Sequence, residues 1–570
     1  MVRYILYSIS VLILAGVLFY LLRRKDYPYD NTTLANGKAL FAKHCLSCHG
    51  LQDDGIGPPL GGITTLLSEK ALLNFINDPL VVIKSGNKRA SAMQQRYKLI
   101  MPSFSSMQET ETRSILAYIH YQTKLLHIKT IGYDKNSSAA GLTGRLVAPI
   151  KKSGLKVELE EVIQLPQLGK STELGVVTVR AFPSRDGTLL ASDQNGVIYR
   201  ISNGKATTFL DLRQQIKDFQ SGPGIATGLG SFDFHPDFLN NGLIYITNAE
   251  TFKGQQADYA ISDSIKSEVQ WIISEWKMDD VQAPVFTGKH RELLRLHAPN
   301  FGHGLQDIAF VPGLKKNDLD YGLLYFGYGD GGSNNIKHPE LGHHTKSFLG
   351  SIMRIDPAGN NSQNGKYGIP ASNPFAKETD PQIVKEIYAY GFRNPHRMAW
   401  DKANGNRLLA TDIGESNIEE INIIENGGDY GWPDQEGNYG IATVKDLKTV
   451  FKLRENKPDL YKKPFAQYDH VDGNAMSGGF VYGGDLTLLK NKYIFGDIVN
   501  GKLLYVNIDP QLKDSTVYEL EIIQDGKETN LREMSSTKRL HLRVSYDQFK
   551  NELYVITKID GKIRRVVKAY

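Results

Sequence analysis

Six times between residues 187 and 556 a turn residue is followed at once by a run of bulky apolar residues. The copies are GTLLAS from Gly187, GLIYIT from Gly242, GLLYFG from Gly322, NRLLAT from Asn406, NKYIFG from Asn491 and NELYVI from Asn551. A second pattern follows four of them: NGVIYRI from Asn195, LGSIMRI from Leu349, NGKLLYV from Asn500 and DGKIRRV from Asp560. Strands this short cannot bury both faces of one sheet. Copies 55 to 85 residues apart must therefore stack on their neighbours around an axis. The pattern predicts an all-β six-bladed propeller over residues 154–570; a two-sheet sandwich would need far fewer strands. The stretches Thr251–Pro299, Asp330–Phe348 and Tyr430–Ala475 read as long loops suited to a binding rim.

Ahead of the repeats the chain changes character. HCLSCHG, His44 to Gly50, holds both cysteines of the 570-residue chain. C-x-x-C-H is the attachment pattern of covalent haem c: Cys45 and Cys48 would form the thioethers and His49 would ligate the iron. The rivals fit less well. A redox C-x-x-C asks for a βαβ pattern, zinc for four ligands, and a disulfide across two residues for a strained ring. Met101, in the Met-Pro-Ser-Phe stretch 52 residues after His49, is the expected sixth ligand, with Met93 and Met107 as alternatives. NGKALFAKH reads as a helix into the motif, GIGPPLGG as a stiffened loop, and Glu109 to Gln122 as a closing helix. With these marks, residues 32–125 resemble a class I cytochrome c, a small all-α domain. KNSSAAGLTG places a linker over 126–153.

The first 25 residues read as a membrane anchor. Tyr4 to Leu22 is uncharged and almost wholly apolar, and as a helix it would span about 28 Å. The run is long for a signal peptide and no A-x-A cleavage site comes after it, so an uncleaved transmembrane helix is expected. Arg23, Arg24 and Lys25 would favour the cytoplasm for the chain beyond them. Covalent haem is assembled on the other side. The expectation is therefore a single-pass protein of the bacterial cytoplasmic membrane with its C-terminal domains in the periplasm. A net charge of +5, from 67 basic and 62 acidic residues, is too diffuse to suggest nucleic acid.

Polar groups sit at improbable places in the repeat region. His303 stands just before an apolar strand in HGLQDIAF. Asp330 ends a strand in the glycine-rich YGDGG, and Arg393 and Asn394 end another in YAYGFRNP. DIGESNIEEINII leads into NGGDYGWP. RLHLR would put Arg539 and Arg543 on one strand face by alternation. A His, an Asp and several Arg could so converge on the channel mouth.

These stretches, with GLGSFDFHPDF from Gly228, NGLIYI from Asn241 and SGGFVYG from Ser477, resemble the glucose/sorbosone dehydrogenase family over roughly residues 160–570. Members are six-bladed propellers that oxidise sugars with pyrroloquinoline quinone (PQQ) and calcium. The resemblance implies His303 as catalytic base, Asp330 as its orienting carboxylate, and Arg393 and Asn394 at the quinone, where Arg393 would stabilise developing charge. It also implies Arg539 and Arg543 at the quinone carboxylates, Gly414 as a carbonyl ligand of the cofactor calcium, and Glu420 and Tyr430 at a separate structural calcium. The sequence departs from the family at Ala226, where a Gln is usual, at Gly302, where an Asp is usual, and at Ile413-Gly414-Glu415 in place of Gln-Gly-Pro. The D-I-G-E form is similar to a divergent branch that includes non-enzymatic members. Two functions are therefore expected. One is a membrane-anchored dehydrogenase that oxidises an aldose or related alcohol at PQQ and passes electrons to its own haem and on to a respiratory acceptor. The other is a non-catalytic propeller, binding sugar or protein, that carries an electron-transfer cytochrome.

Overall fold

The computed structural model describes residues 27, 30–46, 48–51, 57–97, 100–105, 107–128, 142, 144–168, 173–222, 226–259, 261, 265–336, 338–443, 446–452, 461–537 and 539–570. The expected anchor, Tyr4 to Leu22, lies outside them. Among the described residues no helix is long and apolar enough to cross a membrane. The chain divides into two compact units, Met1–Gly141 and Leu142–Tyr570.

The first unit is helical: α1 (Asn31–His44), α2 (Ile63–Leu66), α3 (Glu69–Asn77), α4 (Pro79–Lys84), α5 (Lys88–Tyr97) and α6 (Glu109–Leu125). Asp30 caps α1 by accepting the Thr33 N–H at 2.7 Å, one of the amides a helix start leaves unpaired. Glu111 reaches back from α6 to the Gln108 N–H at 2.9 Å. α1 crosses α6 at Gly37, where a Cβ would lie 2.0 Å from the Ser114 carbonyl oxygen, so only glycine lets the two backbones meet. Phe41, Leu72, Ile115, Leu116 and Ile119 fill the core beside this crossing.

The second unit is built from sheets. Four have four strands each: Val176–Ala181 to Lys205–Asp211; Leu229–Phe234 to Gly288–Ala298; Leu305–Phe310 to Ile387–Tyr390; and Pro395–Asp401 to Ala466–Asp469. A nine-stranded sheet joins two further groups, one led by Met476–Val481 and one by Leu542–Asp547. The leading strands of the six groups pack against one another in cyclic order, the last against the first. All six copies of the first repeat fall on the second strand of a group, and all four of the second repeat on the third strand. Their turn residues explain the pattern. Gly187, Gly242, Gly322, Asn406, Asn491 and Asn551 all have φ between +55° and +89°. That left-handed conformation is open to glycine and tolerated by asparagine.

Two expectations are corrected here. Thr251–Pro299 is not a rim loop. From Val269 onward it is a long antiparallel pair, Val269–Met278 with Gly288–Ala298, because VQWIISEWKM is almost wholly buried. The stretch read as linker also ends early. Strand Lys151–Gln164 starts inside it, pairs antiparallel with Lys562–Ala569 and runs parallel to Tyr518–Gln524. It supplies the last group's fourth strand and stitches that group to its neighbour. Just before it, Leu142 donates its N–H to the Val450 carbonyl at 2.8 Å, and Arg145 makes a two-pronged contact with Asp472.

Candidate active site and haem-attachment motif

In the helical unit, α1 runs straight into the haem motif. The Cys45 N–H still bonds the Phe41 carbonyl at 2.9 Å, and the His49 N–H bonds the Cys45 carbonyl at 2.8 Å, so one turn gathers all three residues. No disulfide joins the cysteines. Burial, with Cys48 beside it, pushes the Cys45 thiol up to about 12, which is the reverse of a reactive redox thiolate. His49 Nδ1 lies 2.8 Å from the Pro58 carbonyl oxygen. A proton held there would make Nε2 the nitrogen able to ligate iron. A side chain at Gly57 would put its Cβ 2.3 Å from the imidazole, so that glycine clears room for the ring.

The loop carrying Met101 is pinned by two bonds. Ser103 Oγ donates to the Asn77 carbonyl at 2.5 Å, and the Phe104 N–H to the Ile76 carbonyl at 3.1 Å. Phe104 then sits edge-on to His44, with ring centroids 6.0 Å apart, which brings this loop beside the cysteine motif. Met107 packs into the helical core instead.

In the sheet unit, His303 has φ +49°, and this left-handed turn precedes strand Leu305–Phe310. Its Nδ1 lies 2.6 Å from Asp330 Oδ1. Asp330 is fully buried, yet its carboxylate also accepts the Gly332 N–H at 2.9 Å, the Ser333 hydroxyl at 3.3 Å and the Trp432 indole N–H at 3.2 Å. Burial opposes ionisation here. The interaction with His303, the charge of Arg393 and the Gly332 N–H outweigh it, and the carboxyl is held below its ordinary value. The glycines of YGDGG make this possible: a Cβ at Gly329 would lie 2.5 Å from that of His303, and Gly331 and Gly332 are left-handed. The Asp330 N–H in turn bonds the Arg393 carbonyl at 2.8 Å.

Arg393 is heavily engaged by protein. Nε reaches Glu415 Oε2 at 2.8 Å, and Nη2 bonds the same oxygen. Nη1 bonds the carbonyls of Ile413 at 3.0 Å and Gly414 at 2.7 Å. Asn394 is buried and gives its backbone N–H to Asp412 at 2.6 Å, while its side-chain Oδ1 has no partner among the described residues.

The late arginines do not share a face. The strand begins only at Leu542, Arg539 is exposed before it, and His541 at φ +50° breaks the alternation. Arg543 is buried. Burial and the nearby Arg397 push it down to about 9, and its Nε has no partner among the described residues. Sequence reasoning missed its buried neighbour Lys558, which bonds Gln194. Burial, and then Arg543, Arg397 and Lys558, hold His396, two residues beyond Asn394, well below its ordinary value.

Glu420 faces Asp412 across the strand pair and accepts from the Gly437 N–H and, at 3.1 Å, from Asn422. Burial, with Glu436 and Glu419 nearby, pushes it up to about 7. The Tyr430 hydroxyl donates to the Ile423 carbonyl at 2.6 Å, and its ring stacks on Phe392. Among the described residues no group of three or more His, Cys, Asp or Glu could hold a metal ion. Trp432 and Glu415 were also missed as site residues. NGGDYGWP and DIGE drew attention to both stretches, but the partners lie about 100 and 22 residues away in sequence.

Residues 179–555 match the Glucose / Sorbosone dehydrogenase family and residues 34–123 match Cytochrome c. The chain is similar to HIPL1 protein of Arabidopsis thaliana, 25% identical over 58% of this chain and 48% of that one. It is also similar to quinoprotein glucose dehydrogenase B of Acinetobacter calcoaceticus, 27% identical over 46% of this chain and 53% of that one. The chain spans about half the length of the curated relatives it matches. Among solved structures, soluble aldose sugar dehydrogenase of Escherichia coli has a TM-score of 0.51 at 18% identity, covering 73% of this chain and 99% of that one. This likeness extends to the fold of the sheet unit. The chain belongs to the glucose/sorbosone dehydrogenase family and carries a cytochrome c domain ahead of the dehydrogenase-type domain.

Proposed function

We propose that the six strand groups are the blades of one propeller, which oxidises an aldose or related alcohol and delivers the electrons to the chain's own haem c. The observation that carries this reading is the His303–Asp330 pair: an imidazole 2.6 Å from a carboxylate that is fully buried and held by three further donors. Asp330 keeps the proton on Nδ1, orients the ring and supports the imidazolium once it forms. Nε2 then serves as the base that takes the proton of the anomeric hydroxyl.

The residues present fit PQQ in one respect. Asn394 Oδ1 and Arg543 Nε are buried without partners among the described residues, and Arg543 leaves a buried guanidinium suited to a planar polycarboxylate. Bound there, PQQ would supply a two-electron acceptor. Haem takes electrons one at a time, so the cytochrome domain would accept them in two steps. Residues 4–22 would anchor the protein in the bacterial cytoplasmic membrane with the C-terminal domains in the periplasm, within reach of a respiratory acceptor.

The test is haem reduction by the full chain supplied with PQQ, calcium and a panel of aldoses. Reduction that needs PQQ and is lost in His303→Ala supports the enzyme. No reduction, together with no PQQ binding by calorimetry, supports the second reading, a binding propeller that carries a cytochrome. One observation favours that alternative: the charge of Arg393 is already matched by Glu415.

A further inference from the structure

The cofactor calcium of the family does not fit this chain. The carbonyl of Gly414 would have to turn toward a metal ion, yet it accepts a hydrogen bond from Nη1 of Arg393 at 2.7 Å, as the neighbouring Ile413 carbonyl does at 3.0 Å. The loop has little freedom to offer them elsewhere. Glu436 Oε1 accepts the N–H groups of Ser416, Asn417 and Ile418 at 2.9–3.1 Å and ties the loop just beyond Gly414. A Cβ at Gly414 would lie 1.8 Å from the Ile418 carbonyl oxygen, so the turn is closed on itself.

Glu415, which stands where the family has proline, completes the arrangement. Its Oε2 takes both Nε and Nη2 of Arg393. Four guanidinium hydrogen bonds thus point at protein oxygens of one short segment, Ile413 to Glu415. The guanidinium packs 5.7 Å from the Trp432 ring, and the Arg393 backbone carbonyl holds Asp330. A positive charge in this position repels a second cation, and it has already taken the oxygens that cation would need.

We infer that the guanidinium of Arg393, positioned by Glu415, holds the place of the divalent ion at the Gly414 carbonyl, so that the site is built around a resident organic cation and needs no calcium there. Glu415 is a positioning residue: it neutralises the guanidinium and aims it at the two carbonyls. An arginine suits this role because its planar fork can bond carbonyls and a carboxylate at once and never loses its charge. The inference deepens the quinone reading above, but the cation seat can be tested without quinone.

Calcium binding to the full-length protein is measured by calorimetry, and the number of calcium ions bound per chain is the readout. Removing the side chain in Arg393→Ala frees two carbonyls and a carboxylate, so this variant is expected to bind one more calcium than the unaltered protein. Arg393→Lys is expected to keep the original number. Adding Glu415→Gln to Arg393→Ala is expected to remove the extra ion. Equal stoichiometry in the unaltered protein and Arg393→Ala overturns the inference, whether both bind calcium at this place or neither does. An unchanged haem spectrum and thermal midpoint serve as the folding control; if Arg393→Ala fails it, Arg393→Gln replaces it with the same expectation. In a second arm, PQQ affinity is expected to agree within about twofold between calcium and a calcium chelator, and a gain of about tenfold with calcium overturns the inference. If PQQ binds in neither buffer, the quinone reading fails, and the stoichiometry still decides the seat.

Discussion

Two buried carboxylate sites of the sheet unit show opposite outcomes of burial. Asp330 is wholly inside the protein, which opposes its charge, and yet it sits below its ordinary pKa, because His303, the charge of Arg393 and the Gly332 amide favour the carboxylate; an indole and a hydroxyl also donate to it. Glu420 and Asp412 are buried as well, but they face each other and Glu420 has other acids nearby. Glu420 rises to about 7, and Asp412 moves well above its ordinary value. Burial raises the cost of charge at both sites; the number of donors and the sign of the neighbours decide which form persists. One site is a fixed negative charge beside an imidazole, suited to proton transfer. The other is a store of protons.

The largest effect should come from breaking the first site. Asp330→Asn leaves the shape but removes the charge that fixes the His303 tautomer. Sugar-dependent haem reduction is expected to fall by about 10³–10⁴-fold, read as the rate of appearance of the reduced-haem band. A fall of less than about tenfold would remove Asp330 from the proton-transfer role. Next, Trp432→Phe deletes one neutral donor. The acid limb of the rate profile should move toward higher pH and the rate at neutral pH fall by about tenfold or less, since a single hydrogen bond is worth about 1 kcal/mol. A full Asp330→Asn phenotype in this variant would mean that the indole places the loop rather than tunes the carboxylate.

The proton-storing site makes a weaker but oppositely signed prediction. Between its ordinary value of 4.5 and about 7, Glu420 binds more protons folded than unfolded, so the folded state loses stability as pH rises through that window. The thermal midpoint of the sheet unit should drop by a few degrees from about pH 5 to about pH 8 in the absence of calcium, and Glu420→Gln should flatten the slope. The sign at Asp330 is reversed: its contribution is complete above the ordinary carboxylate range and is lost as pH falls below it. The stability difference between the unaltered protein and Asp330→Asn should therefore shrink only in strong acid. A difference that shrinks between about pH 5 and 7 would place the two carboxylates in the same class.

What could be read from the sequence was what backbone geometry forces into it. The six turn residues are all Gly or Asn because a left-handed φ admits few others, and that made the strand groups visible. C-x-x-C-H was legible because covalent attachment needs a fixed spacing. The His303 and Asp330 positions were visible because each interrupts a turn next to an apolar strand. Register was harder. Arg539 and Arg543 read as one face because alternation is assumed to be unbroken, and a single left-handed residue, His541, undid it. Lys151–Gln164 read as partly linker because its side chains are mostly exposed or half-exposed, as on a strand whose outer face meets water. The hold of Glu415 on Arg393 is an ion pair across 22 residues, which no local pattern encodes.

The strand that stitches the ring sets an order of events during synthesis. Lys151–Gln164 is made early, but its antiparallel partner Lys562–Ala569 emerges about 400 residues later. Until then an unpaired strand edge waits in the nascent protein, the kind of edge that recruits wrong partners. Its composition suits the wait. Lys151, Lys152, Lys156, Glu158, Glu160 and Glu161 put charge of both signs along the strand, and several of them later form ion pairs with Glu521, Glu528, Arg565, Lys562 and Lys568. The same side chains would thus guard against aggregation while the ring is open and latch the seam once it closes.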